Sequence, residues 1–228
     1  MVHSAWGIIL AGGKSEQLTS EVDTPFLYLN NNPIIVYSLQ AYERCPEIDG
    51  IIVAVDKGRI ESVASMVQMF GCPKVKKIIP VGSHRQTTIL AAMKEMDEDV
   101  TIVSIHEASR PFITSDLIGE TIKSAKKHGS GVAAVKLVDP VKEVVKGFQV
   151  TKSYETEELW STLTPQSYTR GILKKACDAL AKKKMAIEDD SMAVERTKEP
   201  IHLVTAKKNN IKIRTPEDLT MATALAKL

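Results

Sequence analysis

Two adjacent glycines follow the first apolar run of the chain, in the segment Leu10-Ala11-Gly12-Gly13-Lys14-Ser15. A phosphate-binding P-loop also ends in Gly-Lys-Ser, but that motif needs a further glycine with four residues between it and Gly13. Ile8 stands at that position, and the dinucleotide pattern G-x-G-x-x-G is absent as well. The glycine pair therefore predicts either a turn whose backbone amides approach a ligand closely or a plain tight turn.

Further polar blocks follow along the chain, and we interpret each of them as lying at or just after the end of a strand. They are Gly82–Thr88, Ile105–Phe112, Leu163–Gln166, Glu188–Asp190 and Asn210–Leu219. Ligands in open α/β sheets bind at the carboxyl ends of the strands. The blocks are therefore candidates for one binding site.

The elements that position these blocks are predicted from short apolar runs. The runs are Gly7–Ala11, Ile51–Val55, Val75–Pro80, Val100–Ile105, Gly131–Val138, Ile201–Val204 and Ile211–Ile213. Most are continuous rather than alternating, which predicts strands buried on both faces. Helical spacing lies between them, over Pro33–Arg44, Arg59–Phe70 and Ser115–Lys127. This alternation favours an α/β fold with a mostly parallel sheet flanked by helices.

The alternation stops at residues 139–160, a polar segment with short runs of Thr and Val and with Gly147 near its middle. We interpret this segment as a hairpin-like β-arm that projects from the sheet. No internal repeat or low-complexity stretch is found. Residues 1–228 are therefore predicted to form a single domain that carries the arm.

Composition excludes several classes of protein. Lys and Arg number 30 against 28 Asp and Glu, a net charge of +2, so nucleic acid and acidic membrane surfaces are not expected as partners. The apolar runs fall short of the ~20 residues of a membrane helix, and no signal peptide is expected. Cys45, Cys72 and Cys177 lack C-x-x-C spacing, so we expect reduced thiols in a cytoplasmic protein.

Taken in order, Leu-Ala-Gly-Gly-Lys and the later blocks resemble the 2-C-methyl-D-erythritol 4-phosphate cytidylyltransferase family over essentially the whole chain. The sister family, ribitol-5-phosphate cytidylyltransferase, shares the same blocks. The resemblance implies a Rossmann-like nucleotidyltransferase fold and a CTP-dependent enzyme of isoprenoid precursor biosynthesis. Such an enzyme joins CTP to a sugar-alcohol phosphate with Mg²⁺ and releases pyrophosphate. The resemblance also implies a homodimer in which the arm at 139–160 completes the partner's site.

The resemblance further implies a role for each matching residue. The catalytic residues would be Lys212 near the α-phosphate, Arg110 on the substrate phosphate, and Lys14. The nucleotide would be bound by Leu10, Ala11, Gly12, Gly13, Gly82, Arg85 and Thr88. The second substrate would be bound by Glu107, Ala108, Arg110, Thr164 and Glu188, with Glu107 also a ligand of the metal. We expect His106 to be a packed, hydrogen-bonded imidazole rather than an acid or base.

Several polar positions depart from the family pattern. Ser15 replaces a glycine, while Gln17 and Thr24 replace the arginine and lysine that clamp the triphosphate. Two charge-assisted contacts of about 1.5–3 kcal/mol each amount to roughly a thousandfold in binding or rate. The other departures are Ser83, Pro140, Glu188, and Thr156 or a neighbour. We hypothesise that the fold is kept while the family's chemistry is weakened, altered or lost.

Four functions stay open at this point. The first is a cytidylyltransferase acting on 2-C-methyl-D-erythritol 4-phosphate, with Lys14, Lys142 and nearby lysines as compensating cations. The second acts on ribitol 5-phosphate. The third is a catalytically impaired homodimer that binds a nucleotide or a partner protein, and the fourth is a nucleotidyltransferase with another sugar phosphate or nucleotide.

Overall fold

The computed structural model describes residues 4–13, 17–19, 22–183, 187 and 189–227. Its first half contains β1 (Ser4–Leu10), β2 (Gln17–Thr19), β3 (Val22–Asp23), β4 (Tyr28–Leu29), β5 (Asn32–Pro33), α1 (Ile34–Arg44), β6 (Gly50–Val55), α2 (Ile60–Met69), β7 (Val75–Pro80), α3 (Arg85–Lys94) and β8 (Val100–Glu107). Its second half contains α4 (Ser115–His128), β9 (Ser130–Lys136), β10 (Val141–Val144), β11 (Val150–Tyr154), β12 (Trp160–Thr169), α5 (Arg170–Lys183), α6 (Asp190–Glu195), β13 (Leu203–Thr205) and α7 (Pro216–Leu225). Two short 3-10 turns lie at Thr24–Phe26 and Lys57–Arg59.

One mixed sheet forms the centre of the protein, with the strand order β13-β9-β12-β8-β1-β6-β7. Neighbouring strands run parallel except at β12, which is antiparallel to both β8 and β9. This arrangement confirms the predicted α/β class with a mostly parallel sheet. In the described part of the chain, no helix is long and apolar enough to cross a membrane.

Both faces of the sheet are covered, as the continuous apolar runs predicted. In β1, Ala5 and Ile9 pack into a core with α1 and α4, while Ile8 and Leu10 pack into a second core with α3, α5 and α6. A strand buried on both faces has no polar side to present, which is why its sequence does not alternate.

Three expectations about strands are wrong. In the described part of the chain, helix α5, not a strand, is the element that precedes the block Glu188–Asp190, and Asp190 is the first residue of α6. Residues 211–213 form no strand, because Ile213 and its neighbour Ile211 pack into a small side core with Leu29 and Ile34 instead of joining the sheet. The block Leu163–Gln166 does not follow a strand but lies inside β12, where the pairing with β9 shifts register. This strand is rich in Ser, Thr and Gln, so the apolar pattern does not reveal it.

The segment predicted as an arm contains a hairpin, which confirms that expectation. Strands β10 and β11 pair with each other, Val141 opposite Tyr154, and form a ribbon separate from the main sheet. The turn between them has positive φ at Gly147 and Phe148, and the Phe148 side chain is 90% exposed. Most of the ribbon's side chains are exposed on both of its faces.

Candidate active site

A cavity of about 700 Å³ lies at the carboxyl end of the parallel strands. The residues at or just after the ends of β1, β6, β7 and β8 line it, together with the first loop, the start of α3 and the segment before α7. They are Leu10, Gly12, Gly13, Gln17, Asp56, Val81, Gly82, Ser83, His84, Arg85, Thr88, Glu107, Ile187, Lys212 and Arg214. This is the edge at which α/β sheets bind their ligands.

The two glycines of the first loop are required for different reasons. A Cβ on Gly12 would lie 2.7 Å from the backbone nitrogen of Asp56, so only glycine lets the loop pass the end of β6. Gly13 has φ +86°, a left-handed conformation that side chains disfavour. Its N–H donates to Oδ2 of Asp56 at 3.2 Å, so a carboxylate holds the loop against the cavity wall.

Glu107, the last residue of β8, is the centre of a buried charge network. Its Oε1 accepts from Lys212 Nζ at 2.8 Å and from Arg85 Nη1 at 3.3 Å, and its Oε2 accepts from Arg110 Nε at 3.0 Å. Burial alone would raise the pKa of Glu107, but the three cations outweigh it and hold the pKa well below its usual range. The carboxylate is therefore ionised at neutral pH.

Arg85 also joins this network to α6. Its guanidinium makes a two-pronged contact with Asp190, with Nε to Oδ1 at 2.9 Å and Nη2 to Oδ2 at 2.7 Å. Burial raises the pKa of Asp190, and the guanidinium opposes that rise. With Lys212 and Arg110 included, three cations face two carboxylates, so the network keeps an excess of one positive charge beside the cavity.

His106 lies behind Glu107 and is completely buried. Its Nε2 is 3.2 Å from the carbonyl oxygen of Arg110, which only accepts, so Nε2 carries the proton. Nδ1 then accepts from the hydroxyl of Thr164 at 3.0 Å, and that hydroxyl accepts from the Glu107 N–H at 3.2 Å. Burial lowers the pKa of His106 to about 3, so the ring is neutral. The expectation of a packed imidazole is confirmed.

Most of the residues implied by the family resemblance meet in this cavity. Those lining it are Leu10, Gly12, Gly13, Gly82, Arg85, Thr88, Glu107 and Lys212. Ala11, Ala108, Arg110 and Thr164 are buried and are not among the described residues that line it. Lys14, Ser15 and Glu188 lie outside the described residues.

Arg110 does not line the cavity, as a residue that binds the substrate would. Its side chain is only 6% exposed, Nε contacts Glu107, and Nη1 donates to the carbonyl oxygen of Asn210 at 3.0 Å. In this structure it supports Glu107 and the segment that carries Lys212.

The positions expected to depart from the family pattern are scattered over the structure. Gln17 and Ser83 line the cavity, whereas Thr24 is 1% exposed and is not among the described residues that line it. Pro140 is exposed where the arm begins. Thr156 lines a second cavity of about 460 Å³ at the base of the arm, next to Trp160.

Sequence reasoning gave no individual role to three residues of this site, although two of them, Arg214 and Asp190, lie in the predicted polar blocks. Asp56 directly follows the apolar run of β6, so its place after a strand was a usable signal. Arg214 is two residues from Lys212 and therefore on the same side of an extended segment. The contact of Asp190 with Arg85 joins residues 105 positions apart, and no spacing in the sequence reveals it.

The carboxylates at this site differ in how well they suit a metal ion. Both oxygens of Glu107 face cations, so it does not fit the expected role of metal ligand. Asp56 lines the cavity and makes no ion pair with any described residue. Within the described residues, no group of three or more His, Cys, Asp or Glu side chains is arranged to hold a metal.

Comparison with known proteins agrees with this architecture. The family model described as IspD, 2-C-methyl-D-erythritol 4-phosphate cytidylyltransferase, matches residues 6–227. The enzyme of that name from Alkaliphilus metalliredigens is 32% identical over 213 residues, which are 93% of this chain and 88% of the relative. The one from Geobacter metallireducens is 30% identical and covers 98% of both chains.

Solved structures show the same fold. The 4-diphosphocytidyl-2C-methyl-D-erythritol synthase of Anaerococcus prevotii superposes with a TM-score of 0.87 at 21% identity, over 99% of this chain and 97% of the other. The Francisella tularensis cytidylyltransferase gives a TM-score of 0.79 at 26% identity, over 99% and 100% of the two chains. The predicted Rossmann-like nucleotidyltransferase fold is therefore confirmed, and the chain belongs to the 2-C-methyl-D-erythritol 4-phosphate cytidylyltransferase family.

Proposed function

We propose that this protein transfers CMP from CTP to 2-C-methyl-D-erythritol 4-phosphate in isoprenoid precursor biosynthesis. The observation that carries the proposal is the cavity at the carboxyl end of the sheet, with the ammonium of Lys212 and the guanidinium of Arg85 in its wall. Its volume of about 700 Å³ is in the range of pockets that bind small molecules. Its excess of positive charge suits two phosphorylated substrates.

The proposed reaction needs positioning and charge neutralisation more than proton transfer. An oxygen of the sugar phosphate attacks the α-phosphorus of CTP, a new O–P bond forms, and the bond to the β-phosphate oxygen breaks to release pyrophosphate. A phosphate dianion is already a nucleophile, so no general base is required. This agrees with a site in which His106 is neutral and buried behind Glu107.

Lys212 is the proposed cation for the charge that develops at the α-phosphate. A preorganised, largely buried cation stabilises such charge without first having to reorient. Glu107 holds the ammonium at the cavity wall at 2.8 Å, and Arg110 and Arg85 in turn hold Glu107. Removal of the ammonium should therefore slow the chemical step more than it weakens nucleotide binding.

Mg²⁺ is part of the proposal as a partner of the CTP phosphates. Mg²⁺ is commonly held by one or two carboxylates together with substrate phosphates. Asp56 is the carboxylate that fits this role, because Glu107 is engaged by three cations. When bound, the ion would neutralise part of the triphosphate charge next to the first loop.

The function is tested by measuring pyrophosphate release with CTP and each of two acceptors, 2-C-methyl-D-erythritol 4-phosphate and ribitol 5-phosphate. We expect turnover with the first and at least a hundredfold loss in Lys212→Gln. Lys126→Gln, a change of the same charge at an exposed position in the last turn of α4 and outside this cavity, should leave the rate unchanged. Turnover with ribitol 5-phosphate alone would overturn the choice of acceptor.

A second candidate function is a binding protein of the same fold without turnover. The observation that favours it is Gln17, a neutral side chain in the cavity wall, at a position where the family resemblance implies a cation. Nucleotide binding without pyrophosphate release from either acceptor would support it. The same assay therefore separates the two functions.

We also propose a cytoplasmic homodimer in which the arm contacts the partner. The hairpin exposes an apolar group, Val144, Val145, Phe148 and Val150, which a monomer would leave in water. Light scattering should give the mass of a dimer for the full chain and of a monomer for Phe148→Ser combined with Val144→Ser. A monomeric wild-type protein would contradict the proposal.

A further inference from the structure

The extended segment between Asn210 and α7 sends alternate side chains in opposite directions. Ile211 and Ile213 pack into the side core with Leu29 and Ile34, and Lys212 and Arg214 line the cavity. An extended chain places such alternate residues about 7 Å apart on the same side. Arg214 is therefore a second cation that this segment presents to the cavity, beyond Lys212.

The backbone of Arg214 is fixed from both sides. The preceding N–H, of Ile213, donates to the carbonyl oxygen of Ser109 at 2.9 Å. The N–H groups of Arg214 and Thr215 both donate to Oδ2 of Asp218, at 2.9 and 3.0 Å, where α7 begins. The side chain thus extends from a well-held backbone, which limits the backbone entropy lost when it binds a ligand.

Arg214 differs from the other cations of the cavity wall in its exposure and in its ion pairing. Lys212 is buried and paired with Glu107, and Arg85 is partly buried and paired with Glu107 and Asp190, whereas Arg214 is exposed and makes no ion pair with any described residue. A guanidinium presents a fork of donors that matches two phosphate oxygens at once. The charge of Arg214 is not committed to any described carboxylate and is available to an anionic ligand.

The side core also shows which part of the cavity Arg214 faces. Leu18 and Leu27 pack in the same core as Ile213, so the Lys212–Arg214 segment runs beside the stretch that starts at Gln17. Gln17 lines the same cavity and brings no charge. We infer that Arg214 binds the terminal phosphates of CTP, the group that leaves as pyrophosphate. This inference rests on the proposed function for the identity of the nucleotide.

The test compares the affinities of CTP and CMP, measured by calorimetry on the full-length protein with Mg²⁺ and without a sugar phosphate. Arg214→Gln should weaken CTP binding about tenfold and change CMP binding less than about twofold. Arg214→Lys should lie between the two proteins. Arg44→Gln, a change of the same charge at the far end of α1, should leave both affinities unchanged.

An equal loss for CTP and CMP would overturn the inference, and so would a CTP affinity unchanged by Arg214→Gln or wild-type protein that does not bind CTP. Turnover is measured separately. If wild-type protein binds CTP but releases no pyrophosphate, the proposed function fails, while the CTP-to-CMP comparison still decides the role of Arg214. Equal melting temperatures of Arg214→Gln and wild type would confirm that the exposed substitution leaves the fold intact.

Discussion

The ammonium of Lys212 lies 2.8 Å from a carboxylate oxygen of Glu107, and both side chains are less than 10% exposed. The two residues are 105 positions apart, one at the end of β8 and one in the extended segment before α7. Arg110 and Arg85 contact the same carboxylate. This single acid thus contacts two cations of the cavity wall, Lys212 and Arg85, and a third, Arg110, that does not line the cavity.

The first prediction concerns the stability that depends on Glu107. Glu107→Gln leaves three cations with only Asp190 as a counter-charge, so the free energy of unfolding should fall by about 3 kcal/mol or more. Urea denaturation measures this change. Asp178→Asn breaks the exposed pair with Lys174 and should cost less than about 1 kcal/mol. Similar losses in the two variants would contradict the central role of Glu107.

The second prediction concerns pH and His106, whose pKa of about 3 in the folded protein lies below the ordinary value of about 6.5. Between these values the unfolded chain binds a proton that the folded protein does not, so lowering the pH favours unfolding. The contribution of His106 is complete above about pH 6.5 and falls by up to about 1.4 kcal/mol per pH unit below it.

Urea denaturation between about pH 7 and pH 5 checks this dependence. The free energy of unfolding should fall more steeply with decreasing pH in the wild type than in His106→Gln. The ring signals of His106 in NMR spectra should also stay constant over this range. A midpoint for the ring near pH 6.5 would show that the imidazole is not held neutral.

The third prediction compares the stability effects of substituting two buried threonines. The hydroxyl of Thr24 is buried and has no hydrogen-bond partner among the described residues, so Thr24→Val should raise the free energy of unfolding by about 1 kcal/mol. Thr121 is the matched control, because its hydroxyl contacts the Ile118 carbonyl oxygen at 2.8 Å and Ser167 Oγ at 2.9 Å. Thr121→Val should destabilise by about 1–3 kcal/mol. A loss of stability in Thr24→Val would reveal a partner for its hydroxyl.

The fourth prediction adds a charge to the cavity wall. Gln17→Arg places a guanidinium beside the first loop, and it should tighten CTP binding about tenfold in calorimetry. Gln68→Arg adds the same charge to the exposed side of α2 and should have no effect. An unchanged affinity in Gln17→Arg would mean that the triphosphate does not lie beside this part of the cavity wall.

The sequence predicts the parallel strands well because they are buried on both faces. Ile51–Val55 and Val75–Pro80 differ from the observed strands by at most one residue. The prediction of strands from the sequence fails at β12, which carries buried Ser167 and Gln166 held by hydrogen bonds to distant parts of the chain. It also fails at 211–213, where an apolar alternation serves a side core. Local sequence patterns indicate which side chains are buried, but not which element of the fold they pack against.

The sequence predicts the part of the site that lies at the ends of the parallel strands. Blocks after strand ends indicated Glu107 and Arg85, because the ends of parallel strands meet at one edge. The pairing of Arg85 with Asp190, and the engagement of Arg110 below the cavity, depend on contacts across the fold. Which cations are paired and which face the cavity is a property of the folded chain alone.

The most direct test of the account is phosphorus NMR of the protein mixed with CTP, Mg²⁺ and 2-C-methyl-D-erythritol 4-phosphate. We predict that the signals of CTP and the sugar phosphate decline together while those of a CDP-alcohol and of pyrophosphate grow in equal amounts. Persistence of both substrates, under conditions in which calorimetry shows that CTP is bound, would contradict the proposed cytidylyl transfer.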